Sequence, residues 1–301
     1  MGNAVIKIEN LTKDYGDKRG IFDVNLEISK GEVFGYIGTN GSGKTTTIRN
    51  MMGFVKPDQG SVKIHGYDSW EDSVVIKNHV SYIPGEIAFP KLSTGTEFLK
   101  VQAEYLGIKD FSYMNRLIQM LQLDITADLK RMSKGMKQKT AIVAALMGNK
   151  EILILDEPTT GLDPLMRDVF LDLIREEKSK GRTIFMSGQI LEELVEVCDR
   201  VAVIDNGHIL GILDAHAVRH QKNKRYKIIF NKENDFTKFV SEWNKQEIVS
   251  TEGETCFMNI PLEKVGCLIR ELRKYDICVF DEESITLEDE FKRIYMKGRR
   301  G

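Results

Sequence analysis

Eight residues near the start of the chain carry its densest chemical pattern. Gly38-Thr39-Asn40-Gly41-Ser42-Gly43-Lys44-Thr45 has the spacing G-x-x-x-x-G-K-[ST]. Glycines let a backbone curl until successive N–H groups point inward at phosphate oxygens. A helix opening at the end of such a loop turns its positive dipole end on the same anion. Lys44 then reaches the β- and γ-phosphates of a nucleotide, the Thr45 hydroxyl suits Mg2+, and Thr46 follows on the first turn. Far downstream, Ile152-Leu153-Ile154-Leu155-Asp156-Glu157 is an apolar run ending in two carboxylates. A strand buried on both faces of a parallel sheet would deliver both acids to the sheet edge where ligands of open α/β folds sit. Asp156 suits Mg2+, directly or through water. Glu157 suits orienting or deprotonating an attacking water. Alone, an acidic pair ending a strand is more often simply solvated; the phosphate loop upstream makes this one a candidate site.

Such residues need a sheet to position them, and the chain supplies one. Val5 to Glu9 and Phe22 to Ile28 are predicted strands around Gly16 and Gly20, and a third, Glu32 to Ile37, runs into the glycine loop. A helix follows from Lys44 to near Gly53, then a turn at Pro57, Asp58 and Gly60, and a strand from Ser61 to Ile64. From Thr94 to Leu146 apolar residues recur at three- and four-residue intervals, a helical pattern. Strands Thr183 to Met186 and Val201 to Ile204 flank a helix from Ile190 to Val197, and this alternation implies a parallel α/β sheet. Past Leu213 the composition changes. The basic stretch 216–224 reads as a linker or fraying helix. Beyond it come strand Tyr226 to Phe230, helix Asp235 to Trp243, strands Glu247 to Thr251 and Cys256 to Pro261, helix Glu263 to Lys274 and strand Ile277 to Asp281. That order, βαββαβ, is the ferredoxin-like split. A last helix is expected from Leu287 to Met296. The predicted division is a domain at 1–215 with a helical insertion at about 90–147, a linker at 216–224 and an α+β accessory domain at 225–301.

Composition narrows the function classes. With 301 residues, 42% apolar and 29% charged, the chain reads as one large globular domain and a small one. A formal net charge of -2 argues against electrostatic nucleic-acid binding, and no nucleic-acid partner is expected. Cys198, Cys256, Cys267 and Cys278 form no C-x-x-C pair and read as reduced thiols. No apolar run approaches the ~18 residues that span a bilayer. The N-terminus lacks a secretory pattern, and Ile6 breaks the myristoylation pattern that Met1-Gly2 would open. The expectation is a protein soluble by itself, whose membrane role comes through a partner. Glu192, Glu193 and Glu196 read as a solvated helix face, and the basic tail 297–301 as a disordered end.

Over roughly residues 4 to 215 the chain resembles an ABC ATPase, a P-loop NTPase fold with an antiparallel β-subdomain and a helical subdomain. Ser133-Lys134-Gly135-Met136-Lys137-Gln138 resembles the family signature, and Pro158-Thr159-Thr160-Gly161-Leu162-Asp163-Pro164 the segment after the catalytic Glu, with Asp163 in the D-loop. Tyr15 stands where the family places an aromatic ring against adenine. The segment Ile285 to Phe291 is similar to the tail of ABC-2-type drug and peptide exporters.

The resemblance implies ATP and Mg2+ as cofactors and a head-to-tail dimer, homodimeric or heterodimeric. Each ATP would lie between one phosphate loop and the partner's signature, where Ser133 and the Gly135 N–H would face the γ-phosphate. It further implies separate membrane permeases as partners, export as the work done, and a cytoplasmic place at the inner face of the membrane. Three positions depart from the family pattern. Gln189 stands for the switch His and carries no exchangeable charge near neutral pH. Lys134 replaces the first signature Gly. Gly85 stands where Gln or Glu is usual, with Glu86 beside it as a substitute contact to the metal. Two other readings stay open: a soluble ABC ATPase of translation or DNA maintenance, and an ATP-gated dimerisation switch with little turnover.

Overall fold

The computed structural model describes residues 4–219, 223–243 and 247–283, in two compact units that meet between His216 and Ala217. The first opens on a hairpin of β1 (Ala4–Asp14) and β2 (Gly20–Ser29). Along β2, buried Val24, Leu26 and Ile28 alternate with exposed Asn25, Glu27 and Ser29, as in an antiparallel sheet with one wet face. β3 (Val33–Ile37) follows, and the glycine loop then leads into α1 (Lys44–Met51). β4 (Gln59–Ile64) and β5 (Tyr67–Asp68) complete a sheet of order β2-β1-β4-β5. α2 (Ser73–His79) leads to β6 (Val80–Ile83).

The expected helical run from Thr94 to Leu146 is three helices: α3 (Gly95–Tyr105), α4 (Ser112–Met120) and α5 (Lys134–Met147). Gly107 and Gln122, both at positive φ, follow the ends of the first two. Thr94 caps α3 by accepting from the Glu97 N–H. The three pack through Phe98, Leu99, Ala103, Leu117, Ile142, Val143 and Leu146.

β7 (Ile152–Leu155) coincides with its predicted span. α6 (Pro164–Ser179) was not anticipated, although Asp163 caps it and Pro164 fills its first turn. β8 (Thr183–Gly188), α7 (Leu191–Val197), β9 (Arg200–Asp205) and β10 (His208–Asp214) complete a second sheet, ordered β10-β9-β3-β8-β7-β6. It is parallel except for β10. β3 and β7 are buried along their whole length, which is why their sequences are continuous apolar runs. Both sheets share one core, in which Ile6, Ile8 and Ile64 meet α1 residues Ile48 and Met51 and the sheet residues Phe34, Ile154 and Phe185.

α8 (Ala215–Arg219) begins where a linker was expected, and β11 (Asn223–Phe230) starts before that stretch ends. The second unit continues with α9 (Glu233–Glu242), β12 (Ile248–Glu252), β13 (Thr255–Pro261), α10 (Val265–Leu272) and β14 (Ile277–Glu283). Its antiparallel sheet runs β12-β13-β11-β14, the split βαβ order, over a core of Ile228, Phe230, Phe239, Met258 and Leu268. The expected helix from Leu287 to Met296 lies outside the described residues.

α4 is tied to α6 by charge. Arg116 donates two hydrogen bonds of 2.7 Å to the Glu176 carboxylate. Behind this pair, Glu177 is fully buried and pairs with Arg182 at 2.5 Å. Arg116 is the main cause, with Lys180 adding and burial opposing, of a Glu176 carboxyl held down to about 2. A depressed carboxyl stabilises the fold above its ordinary value and loses that contribution as pH falls through its folded value. The stability gap between wild type and Arg116→Ala, read by urea denaturation, is therefore expected to be flat above the ordinary 4.5 and to shrink towards pH about 2. A gap unchanged down to that pH would remove Arg116 as the cause.

Candidate active site

Strand register brings the chemistry together. β3 lies beside β8 with Ile37 opposite Gly188, and β8 lies beside β7 with Met186 opposite Leu155. The residues leaving these neighbouring strands are Gly38, Gln189 and the pair Asp156-Glu157. All therefore emerge at one edge of the sheet.

At that edge the loop turns into α1 through Gly43, whose φ of 113 suits glycine, and whose Cβ position would fall 2.6 Å from Ile21 Cγ2. Lys44 is only 4% exposed. Its ammonium donates to the carbonyls of Gly38 at 2.7 Å and Thr39 at 3.1 Å, and lies 3.2 Å from Glu157. One turn on, the Thr46 carbonyl accepts from Asn50. Gly41 sits at φ 80 at the tip of the loop, and Ser42 is buried beneath it.

Asp156 is fully buried and accepts from Thr45 Oγ1 at 2.8 Å on one oxygen and from Ser187 Oγ at 2.7 Å on the other. The same Ser187 oxygen accepts the Glu157 N–H at 2.9 Å, so one hydroxyl holds both acids. Glu157 sits at φ 48, an uncommon conformation for a residue with a side chain. Its carboxylate accepts from Gln189 Nε2 at 2.8 Å and from Thr160 at 3.3 Å. Gln189 Nε2 also donates to Asn40 Oδ1 at 2.9 Å, so one amide joins the loop to the acid. Burial, followed by the charge of Asp156, pushes the Tyr82 hydroxyl up to about 12.

The other expected residues lie around this cluster. Tyr15 is half exposed after β1, with Lys13 Nζ 5.8 Å from its ring centre. Gly85 runs against the buried acid: a Cβ there would stand 3.1 Å from Asp156 Oδ2. Glu86 is exposed, and no hydrogen bond or ion pair among the described residues joins it to Thr45, Asp156 or Glu157. Ser133 caps α5 by accepting from the Met136 N–H, and Lys134 and Gly135 form the first turn. A Cβ on Gly135 would fall 2.7 Å from the Gly161 carbonyl, and Gln138 donates to the Pro158 carbonyl at 2.8 Å. The signature therefore packs on the segment following Glu157 in its own chain. Asp163 accepts from the Met166 N–H as the cap of α6.

Thr45 and Asp156 offer two converging oxygen donors, the kind a small hard cation takes. Lys44 and the loop offer a buried positive charge beside backbone donors, which suits a phosphate. Sequence reasoning alone does not find Ser187; the available signal is a hydroxyl two residues before Gln189, on a strand beside β7.

Residues 21–160 match the family described as ABC transporter. The bacitracin transport ATP-binding protein BcrA of Bacillus licheniformis is 33% identical over 230 residues, covering 74% of each chain. The Nod factor export ATP-binding protein I of Paraburkholderia xenovorans (strain LB400) is 32% identical over 69% of this chain and 70% of its own. A solved ATP binding subunit of an ABC transporter superposes with a TM-score of 0.63 at 30% identity, over 72% of this chain and 92% of its own.

Because Ser187 is buried and holds both acids, Ser187→Ala leaves an Asp156 oxygen and the Glu157 N–H without this partner. A loss of about 1–3 kcal/mol in denaturant-measured stability is expected, together with weaker Mg2+-dependent nucleotide binding by calorimetry. Unchanged values in both would show that Ser187 holds neither acid in solution.

Proposed function

This chain belongs to the ABC transporter family as an ATP-binding ATPase, and from that premise we propose that it powers export through separate membrane permeases by a two-site dimer cycle. The observation that carries the reading is the cluster in which Lys44, Asp156, Glu157 and Gln189 meet on the phosphate loop. Lys44 and the loop N–H groups hold the β- and γ-phosphates. Thr45 and Asp156 would hold Mg2+, which supplies charge neutralisation on the phosphates when bound. Glu157 orients or deprotonates the attacking water. A phosphate on the loop shares Lys44 with Glu157, which loosens the ion pair and turns the carboxylate towards water. Ser133 and Gly135 at the start of α5 act across the dimer on the partner's γ-phosphate. ATP thereby favours a closed dimer and hydrolysis reopens it, a ligand-driven population shift.

Work passes outward through the helical region. A cleft of about 550 Å3 lies between β6 and helices α3 and α5, lined by Tyr82, Phe89, Phe98 and Tyr105 among others. Tyr105 is 87% exposed, and we assign this cleft to the permease contact. The protein then sits at the cytoplasmic face of the membrane through that partner. Transport and export in the names of its relatives support the direction. The dimer is homodimeric or heterodimeric according to what the permease pair accepts.

The Gln189 departure favours a second reading, an ATP-gated switch that turns over little. Its amide can position Glu157 and Asn40 but cannot exchange a proton near neutral pH. Phosphate release separates the two readings.

Three outcomes test the proposal. Lys44→Ala removes the buried charge on the phosphates and should weaken MgATP binding strongly by calorimetry; undiminished binding would sink the loop assignment. Glu157→Gln keeps the shape without the base and should trap an ATP-dependent dimer, visible by light scattering. A Glu157→Gln protein that stays monomeric while wild type dimerises would end the two-site cycle. In single-turnover hydrolysis, Gln189→His should be faster than wild type, and Gln189→Ala slower by about 10²-fold, the order of one lost electrostatic contact. Equal rates for all three would free the chemical step from this position.

A further inference from the structure

We propose that this protein carries a second metal site, for a divalent transition ion such as Zn2+, formed by His65, His79 and Glu151 away from the nucleotide cluster. One ligand atom from each of the three lies within 4.8 Å of the other two. They come from three separate elements: His65 from the turn between β4 and β5, His79 from the last turn of α2, and Glu151 from the residue before β7. Their meeting is a tertiary arrangement, not a local run of polar residues.

Three features point to an ion. His65 Nε2 is sealed from solvent and makes no hydrogen bond among the described residues, although Glu151 Oε2 stands 3.2 Å away. Two ligands on a tetrahedral Zn2+, each at about 2.0–2.1 Å, stand about 3.4 Å apart, which is close to that separation. The two imidazoles face edge to plane, with ring centres 5.3 Å apart and planes at 63°, so a modest rotation of each brings both nitrogens onto one ion. His65 also occupies a turn at φ 52, followed by Gly66 at φ 83. A turn with two positive φ values favours Asn-Gly, and His is also enriched at such φ, so Asn is the replacement that keeps this turn.

The donor set decides the class of ion. Two imidazoles and a carboxylate suit Zn2+ and its neighbours, whereas Mg2+ and Ca2+ prefer oxygen alone. Three protein ligands leave a fourth position for water. His65 and Glu151 line a cleft of about 320 Å3 that gives access, with Lys30, Lys150, Lys180 and Arg182 also on its wall. Lys180 and Arg182 are paired with Glu176 and Glu177, which removes much of their repulsion towards a cation. A bound ion would clamp the β4–β5 turn and α2 to the start of β7, the strand whose far end carries Asp156 and Glu157.

The test uses the full chain without a histidine tag, in excess Mg2+ so that Thr45 and Asp156 do not bind the probe. Zn2+ is titrated by calorimetry, and Co2+ is added in parallel to read its visible absorption. One tight equivalent is expected in wild type, with the Co2+ bands of a four-coordinate site and a rise in melting temperature. His65→Asn, which suits the turn, and His79→Gln should each abolish the equivalent and the shift; Asp156→Asn should keep both. No tight equivalent in wild type, an equivalent that survives both histidine variants, or one lost in Asp156→Asn would overturn the proposal.

Discussion

A lysine ammonium that is almost fully buried sets the terms for everything near it. At 4% exposure Lys44 has little water around it, and a buried ammonium without partners costs several kcal/mol. The Gly38 and Thr39 carbonyls and the Glu157 carboxylate supply those partners. The glycine loop must therefore wrap back over its own lysine, and β7 must end at the same sheet edge as β3, one strand away across β8. The loop's curl, the sheet order and the place of Glu157 all answer to one buried cation. That cation is also what a nucleotide would exploit: phosphate oxygens are acceptors that can stand in for part of this oxygen shell and bring negative charge to it.

The remaining acids are held by sharing. Ser187 gives its proton to Asp156 and its lone pair to the Glu157 N–H. Gln189 gives both amide protons, one to Glu157 and one to Asn40. Ser187 on β8 and Gln189 at its exit thus each serve two partners: Ser187 both acids after β7, and Gln189 one of those acids and Asn40 after β3. Through Gln189 the loop at Asn40 is tied by two hydrogen bonds to Glu157. A histidine in the same place could also change its charge, whereas the amide offers only position. The departure at Gln189 therefore keeps the mechanical link and gives up the protonic one.

Much of this was legible in the sequence because it is local. The loop's spacing, the apolar run of β7 and the βαββαβ order of the second unit are patterns in consecutive residues, and family membership follows from the motifs that rest on them. What was not legible depended on pairing. β6 is four residues long with only Val80 and Ile83 buried, so it offers no run to see. β10 turns on Asn206-Gly207, both at positive φ, a hairpin signal that the preceding parallel pattern masked. The cap and first-turn proline of α6, Asp163 and Pro164, are also the last residues of the motif-like segment after Glu157, which masks them as a helix start. The helical stretch looked continuous because apolar spacing persists through the breaks at Gly107 and Gln122. Glu86 was expected near the metal donors because it follows Gly85; the chain instead turns it outward, and Gly85 itself is what approaches Asp156.

Lys134 is the departure whose cost is set furthest from the phosphate loop. Gly135 lies so close to the Gly161 carbonyl that a Cβ there would fall at 2.7 Å. Gly161 in turn sits at φ 85, and a Cβ on it would meet Lys134 Cγ at 3.1 Å and Cδ at 3.3 Å. The lysine stem therefore folds back over a glycine in the segment after Glu157, and that glycine is what makes room for it. The stem of Lys134 finds room because position 161, on the loop that follows Glu157, has no side chain. Gln138, bonded to the Pro158 carbonyl, fixes the other end of the same contact. The start of α5 and the segment after Glu157 thus pack together within one chain. On the proposed cycle, a displacement of the segment after Glu157 would press on Gly135 and its neighbour Ser133, the residues that would face the partner's nucleotide.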